Sequence, residues 1–183
     1  MRNIISAFLI LSIVSCGEGP EPRKPVKVTS ANFYKESAER SRKLLEAEEK
    51  LIENLITSDT TSTYEHSATG SWYTFIKKNE EDTNTAQTDD LVTMTYNILA
   101  LDNDTIYSMQ DIGIKTYKVD KQEMFQGLRD GIKLMKENET ATFLFPSSLA
   151  YGYHGDNDKI GSNIPLKATV AIIKIEKPID SIQ

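Results

Sequence analysis

The sequence predicts an α+β domain in which an antiparallel sheet wraps around one short helix. Residues 91–101 and 139–145 alternate between apolar and polar side chains, which is typical of strands with one buried face. Between them, residues 122–135 repeat apolar side chains at helical spacing. Several strands around a single amphipathic helix favour an α+β layout.

The first sixteen residues predict export and lipidation. A basic start is followed by an apolar run from Ile4 to Val14, which is shorter than the roughly 20 residues that span a bilayer. Such a run fits the core of a signal peptide. Ser15 and Cys16 resemble a bacterial lipobox, so we expect residues 1–15 to be removed and Cys16 to carry a lipid. The alternative is a secreted protein with an incidental cysteine.

Charge and cysteine content exclude several classes of function. The chain has 21 basic and 27 acidic residues, a net charge of −6, and no basic cluster. Nucleic acid is therefore not an expected partner, because affinity for it depends on neutralising phosphates. A single cysteine allows neither an intramolecular disulfide nor a cysteine metal cluster. We expect no metal and no cofactor.

A tether and a long helix precede the domain. Three prolines among charged residues predict an extended tether over residues 16–29. Residues 30–57 place leucine and isoleucine pairs at seven- and four-residue spacing, which predicts a helix with one apolar stripe. That stripe either packs on the main domain or pairs with a second copy of the chain. Residues 58–69 are polar and predict a linker.

The domain itself is predicted to cover residues 70–178. Its elements follow from alternation, from turn residues such as Asp102-Asn103-Asp104, and from Pro146 at the end of a strand. The predicted strands are 72–76, 91–101, 105–108, 117–119, 139–145 and 168–175, and the predicted helix is 122–135.

A loop with apolar and aromatic side chains precedes the last strand. Loops are normally polar, because buried backbone groups need hydrogen-bond partners. Tyr151, Tyr153, Ile160 and Ile164 nevertheless lie in this connection. They indicate either the wall of a binding cleft or a loop that packs its own side chains.

Three blocks of this domain resemble the FKBP-type peptidyl-prolyl cis-trans isomerases. They are LVTMTYNILALDNDTIYS, KQEMFQGLRDGIKLMKENETATFLFP and LAYGY followed by IPLKAT, and they occur in the family's order. The order of lipobox, helix and domain is most similar to FKBP-type lipoproteins associated with gliding motility. The resemblance implies an FKBP-like fold and catalysis of rotation about bonds that precede proline.

The resemblance also implies which residues form the site. Tyr96, Phe125 and Tyr151 match the residues expected to act in catalysis, with the Phe125 N–H and the Tyr151 hydroxyl holding substrate carbonyls. The matches expected to bind substrate are Ile106, Tyr117, Met124, Leu128, Ile164 and Ile172.

The chain departs from the family pattern at four of the pocket positions. Ile106 and Ile172 stand where phenylalanine is usual or frequent, and Leu128 replaces an aromatic residue. Tyr107 replaces an aspartate that orients the pocket through hydrogen bonds. We expect these changes to enlarge the pocket, loosen its order and leave a modest activity.

The expected protein is a prolyl isomerase of the bacterial cell envelope. We expect it to be anchored by a lipid to the outer membrane, on the side that faces the periplasm. It would act on proline-containing exported proteins. Motility or secretion components are expected clients, and residues 30–57 could form a homodimer. The alternative is an FKBP-like module that holds extended chains with little catalysis.

Overall fold

The computed structural model describes residues 30–178. Three predictions lie outside this range: the signal peptide at 1–15, lipidation at Cys16 and the tether at 16–29. The structure therefore bears on the N-terminal helix, the linker and the domain.

The chain divides into two compact units between Ser37 and Ala38. In the first unit, the exposed rings of Phe33 and Tyr34 meet edge to face at 6.1 Å between centroids. The second unit contains the rest of the long helix and the whole sheet.

Eight strands and three α-helices occur within residues 30–178. A 3-10 turn at Ser147–Leu149 follows the seventh strand. The elements are α1 Ser30–Ser58, β1 Glu65–His66, β2 Trp72–Lys77, β3 Leu91–Tyr96, β4 Ile98–Ala100, β5 Thr105–Tyr107, α2 Met109–Ile112, β6 Lys115–Lys118, α3 Gln126–Ile132, β7 Thr140–Phe145 and β8 Leu166–Glu176.

The sheet is antiparallel throughout these strands and runs in the order β1-β2-β7-β8-β3-β6. Strand β4 pairs with both β5 and β8. The predicted α+β fold with an N-terminal helix is confirmed. Strand β1 lies inside the predicted linker 58–69, so the sheet begins before residue 70.

Helix α3 lies against the sheet because two of its residues lack a Cβ. A Cβ on Gly127 would come within 2.4 Å of the Phe145 ring, and one on Gly131 within 2.9 Å of the Phe143 ring. These two phenylalanines on β7 have parallel rings 5.8 Å apart. The glycines thus let the helix backbone approach the aromatic face of the sheet. Leu128 is buried in the resulting core.

Two predicted elements are shorter in the structure. The strand predicted at 91–101 is interrupted at Asn97, whose backbone N–H and side-chain oxygen both bond to the backbone of Thr169. The helix predicted at 122–135 covers Gln126–Ile132 only. The Gln122 side chain accepts a hydrogen bond from the Lys118 N–H, which keeps that segment in a turn.

One face of α1 packs on the domain. Ile52 is fully buried and Leu45 is half-buried, whereas Leu44 and Leu51 stay exposed. The buried carboxylate of Glu48 lies on the packed face. The apolar stripe is therefore divided between the domain and the surface. No helix in the described residues, α1 included, is long and apolar enough to cross a membrane.

Candidate functional site

A cavity of about 700 Å³ opens between the segment leading into α3 and the turn that follows β7. Tyr151 and Ala150 form one side of this cavity. The other side is formed by Asp120, Lys121, Gln122, Glu123, Met124, Phe125 and Arg129. These nine lining residues combine apolar and aromatic side chains with charged ones. Met124, Phe125 and Tyr151 are three of the residues predicted from the sequence.

Phe125 is placed by the start of α3. Its backbone is extended, with φ −62° and ψ 147°, and the helix begins at the next residue. The half-buried ring packs on Phe145 and Tyr151, with centroids 5.4 and 5.2 Å apart. Its backbone N–H bonds to no acceptor within residues 30–178. The position therefore combines an apolar ring with a free backbone donor.

Tyr151 is placed by the turn after β7. The Gly152 N–H donates to the Ser147 carbonyl oxygen at 2.9 Å, and Gly152 adopts a positive φ of 58° that closes the turn. Burial raises the pKa of Tyr151 to about 12, with smaller effects from Tyr96 and Asp156. The phenol therefore stays protonated at neutral pH. In the described part of the chain its hydroxyl has no hydrogen-bond partner, so it is free to donate to a bound carbonyl.

A small apolar cluster holds the aromatic side chains together. Ile98, Ile160 and Leu166 are its buried members. Three residues predicted to act in catalysis and one predicted to bind substrate pack against it: Tyr96, Phe125, Tyr151 and Ile106. The structure thus brings together residues that are up to 55 positions apart, counting from Tyr96 to Tyr151.

Three residues predicted to bind substrate are instead buried in the main core. Tyr117 and Ile172 are 2% exposed and Leu128 is 0% exposed in the absence of a ligand. Tyr117 lies opposite Val92 on β3, which directs it inward. Their role as substrate contacts therefore stays a prediction. The apolar surface open to a ligand comes from Met124, Phe125, Ala150 and Tyr151.

Ile164 lies in the loop that precedes β8 and is exposed in the structure. It is 36% exposed and belongs to neither apolar cluster. A Cβ on Gly161 in the same loop would lie 3.8 Å from Ile164 Cγ1. Closure of Ile164 over a bound proline therefore stays a prediction.

The sequence missed a contact between β5 and the last loop. The Tyr107 hydroxyl donates to Asp156 Oδ2 at 2.5 Å and lies 3.2 Å from Asp158 Oδ2. The hydrogen bond to Asp156 raises the pKa of Tyr107 to about 12. Burial works to raise the pKa of Asp156, but hydrogen bonds from Tyr107 and from backbone N–H groups outweigh it and lower that pKa. A single sequence carries no signal for a pair so distant along the chain.

Charged residues on the other side of the cavity form ion pairs with their neighbours. Asp120 lies 2.8 Å from Lys133 and 3.9 Å from Arg129, and the bond to Lys133 is the main reason that its pKa is lowered. Lys121 pairs with Asp89 at 3.4 Å. These charges are partly exposed and contribute little to stability individually. They leave the aromatic side as the main binding surface.

Comparison with known proteins identifies the family. Residues 82–174 match the family model described as FKBP-type peptidyl-prolyl cis-trans isomerase. A curated relative is the probable FKBP-type peptidyl-prolyl cis-trans isomerase FkpA of Neisseria meningitidis serogroup B. It is 34% identical over 90 residues, which cover 49% of this chain and 33% of the relative. The chain thus matches about a third of that relative's length.

Solved structures share the fold. A peptidyl-prolyl cis-trans isomerase from Pseudomonas syringae superposes with a TM-score of 0.59 at 17% identity, over 75% of this chain and 96% of the other. FkpA from Escherichia coli superposes with a TM-score of 0.60 at 17% identity, over 96% of this chain and 82% of the other. Identities this low support the fold, while the family model covers half of the chain. The chain therefore belongs to the FKBP-type peptidyl-prolyl cis-trans isomerase family.

Proposed function

We propose that this protein is a peptidyl-prolyl cis-trans isomerase that binds proline at the aromatic side of the cavity. The observation that carries the proposal is the pairing of apolar rings with two free donors, the Phe125 N–H and the Tyr151 hydroxyl. Family membership supports the same activity.

The arrangement suits rotation about an amide bond. Resonance keeps the peptide bond planar and imposes a barrier of about 18–20 kcal/mol. A twisted amide has lost that resonance and is less polar, so apolar rings stabilise it relative to the solvated planar form. Donors fixed on the flanking carbonyls hold the chain while the bond turns. The reaction needs no proton transfer and no nucleophile.

Isomerisation of short Xaa-Pro peptides, followed by NMR exchange, tests the proposal. Tyr151→Phe removes one hydrogen bond worth about 1 kcal/mol, so kcat/KM should fall about five- to tenfold. Tyr153→Phe is the matched control. It removes a hydroxyl from the same loop, but Tyr153 is 74% exposed and does not line the cavity. Wild-type rates at the uncatalysed background would refute the activity.

The second candidate is a binding module that holds extended chains. The exposed ring of Tyr153 in the loop beside the cavity favours it, because such a ring can contact a client without entering the cavity. Suppression of client aggregation, measured beside peptide isomerisation, separates the two. A Tyr151→Phe variant that loses catalysis and keeps full protection would favour the binding module.

We further propose that the protein acts in the bacterial cell envelope, where a lipid at Cys16 anchors it to the periplasm-facing side of the outer membrane. The basic start, the apolar run and the Ser15-Cys16 pair support this proposal. Exported proteins with proline-dependent folding steps would be its clients, including components of a gliding or secretion apparatus. Cys16→Ser should abolish incorporation of labelled fatty acid, and retained label would refute the anchor.

A homodimer through residues 30–57 is the remaining proposal about partners. Leu44 and Leu51 support it, because they are seven residues apart on α1 and exposed. Sedimentation of the purified protein should give the mass of a dimer, and Leu51→Glu should give that of a monomer. A monomeric wild type would reject this arrangement.

A further inference from the structure

Tyr107 connects the β5 hairpin to the loop that follows Tyr151. The family resemblance expects an aspartate at position 107, and this chain has a tyrosine there instead. The hydroxyl of Tyr107 reaches across to the carboxylate of Asp156 at 2.5 Å. The chain thus has a carboxylate in the loop and a donor on the hairpin.

The Asp156 carboxylate also closes a turn within the loop. Its Oδ1 accepts hydrogen bonds from the N–H of Ile160 at 2.8 Å and of Asp158 at 2.9 Å. The Asp156 N–H donates back to the Ile160 carbonyl oxygen at 3.1 Å. Gly155 makes this approach possible, because a Cβ there would lie 2.2 Å from that oxygen. One carboxylate therefore links the hairpin to both ends of the turn.

The turn carries Ile160 into the cluster around Tyr151. Ile160 is 3% exposed, and Tyr96, Phe125 and Tyr151 pack against the cluster to which it belongs. The Asn163 N–H bonds to the Gly152 carbonyl oxygen at 2.8 Å, which ties the far end of the loop beside Tyr151. A shift of Ile160 would remove part of the surface on which the Tyr151 ring rests.

We propose that Asp156, held by Tyr107, is a positioning residue that fixes the Ile160 turn and thereby directs the Tyr151 hydroxyl toward the bound prolyl peptide. This inference rests on the proposed isomerase activity. By the family resemblance, an aspartate at position 107 would order the pocket, and this chain has a tyrosine there. In the proposal, the Asp156 carboxylate orders the pocket instead. Asp156 itself need not touch the substrate.

A double-mutant cycle with Tyr151 tests the inference on the purified full chain. Asp156→Ala should lower kcat/KM about tenfold in the wild-type background and less than twofold in the Tyr151→Phe background, since residues that act as a unit are non-additive. Asp158→Ala is the control. It removes the same charge from the same loop, but lies farther from the Tyr107 hydroxyl.

NMR of the same variants measures whether Asp156 fixes the Ile160 turn and the Tyr151 ring. Asp156→Ala should accelerate amide exchange at Ile160 at least tenfold and shift the labelled Tyr151 ring signal, while Asp158→Ala leaves both near their wild-type values. Equal losses of kcat/KM in the two backgrounds would overturn the inference. So would an unchanged Ile160 exchange rate together with an unchanged Tyr151 signal. An inactive wild type would refute the proposed activity, and the two NMR signals would then decide whether Asp156 positions Tyr151.

Discussion

Removal of the Glu48 carboxylate should destabilise the domain strongly, because a buried contact between α1 and the turn after β7 depends on it. Glu48 is 4% exposed and Ser147 is 2% exposed. The carboxylate accepts the Ser147 N–H at 2.8 Å and its hydroxyl at 2.7 Å. Glu48→Ala leaves two buried donors without a partner, at a cost of about 1–3 kcal/mol each.

Two effects reduce that cost. Removing Glu48 also removes a charge that was costly to bury, and the space left behind can admit a water molecule. The lost hydrogen bonds still dominate, since two donors remain with at most one new partner. We therefore expect the free energy of unfolding to fall by about 2–4 kcal/mol, a large part of the 5–15 kcal/mol typical of a domain.

Urea unfolding of the purified protein, followed by circular dichroism, measures this change. Glu53→Ala is the matched control, because Glu53 is exposed on the same helix and should change the free energy by less than about 0.5 kcal/mol. Adding Ser147→Ala to Glu48→Ala should cost less than the sum of the single changes, as expected for two partners in one contact. A Glu48→Ala protein as stable as the Glu53→Ala protein would refute the reasoning.

Three further predictions concern ionisation and packing. Because the pKa of Tyr107 is raised to about 12, the protonated phenol stabilises the fold below pH 10, and this stabilisation should be lost as the pH rises from about 10 to 12. In the Asp156→Ala variant, an NMR titration should give a Tyr107 pKa closer to 10. Gly127→Ala should lower stability by about 1–3 kcal/mol in urea unfolding, because its Cβ overlaps the Phe145 ring, and a neutral result would contradict the close approach. Ile52→Ala should cost about 2–5 kcal/mol by the same measurement, and a loss near zero would show that this face of α1 does not pack on the domain.

The fold could be predicted because each main element has a strong local pattern. Val92 and Met94 alternate with threonines and are fully buried in the structure. Leu128 and Ile132 follow the helical spacing predicted for residues 122–135, and both are buried. Boundaries were less predictable. The interruption at Asn97 depends on hydrogen bonds to Thr169, a residue 72 positions away, which no local pattern contains.

The residue types of the candidate site could be predicted from the sequence, but how deeply each side chain is buried could not. The aromatic loop indicated Tyr151 and the family resemblance indicated Phe125, and both line the cavity. Leu128 and Tyr117 are equally apolar, but the tertiary packing buries them. A single sequence does not distinguish an apolar side chain at a cavity wall from one beneath it. The pair formed by Tyr107 and Asp156 was missed because the two residues are 49 positions apart and no local pattern relates them.

The position of Tyr151 depends on two contacts, one before it and one after it in the chain. Glu48 on α1 holds Ser147, whose carbonyl oxygen accepts the Gly152 N–H next to Tyr151. Asp156 holds the Ile160 turn on the other side. The two contacts are independent, so loss of Glu48 should disturb the backbone before Tyr151, and loss of Asp156 should disturb the packing of its ring. Because a substrate carbonyl must be held by a fixed donor while the bond turns, the geometry of this one hydroxyl links the packing of α1 to the proposed catalysis.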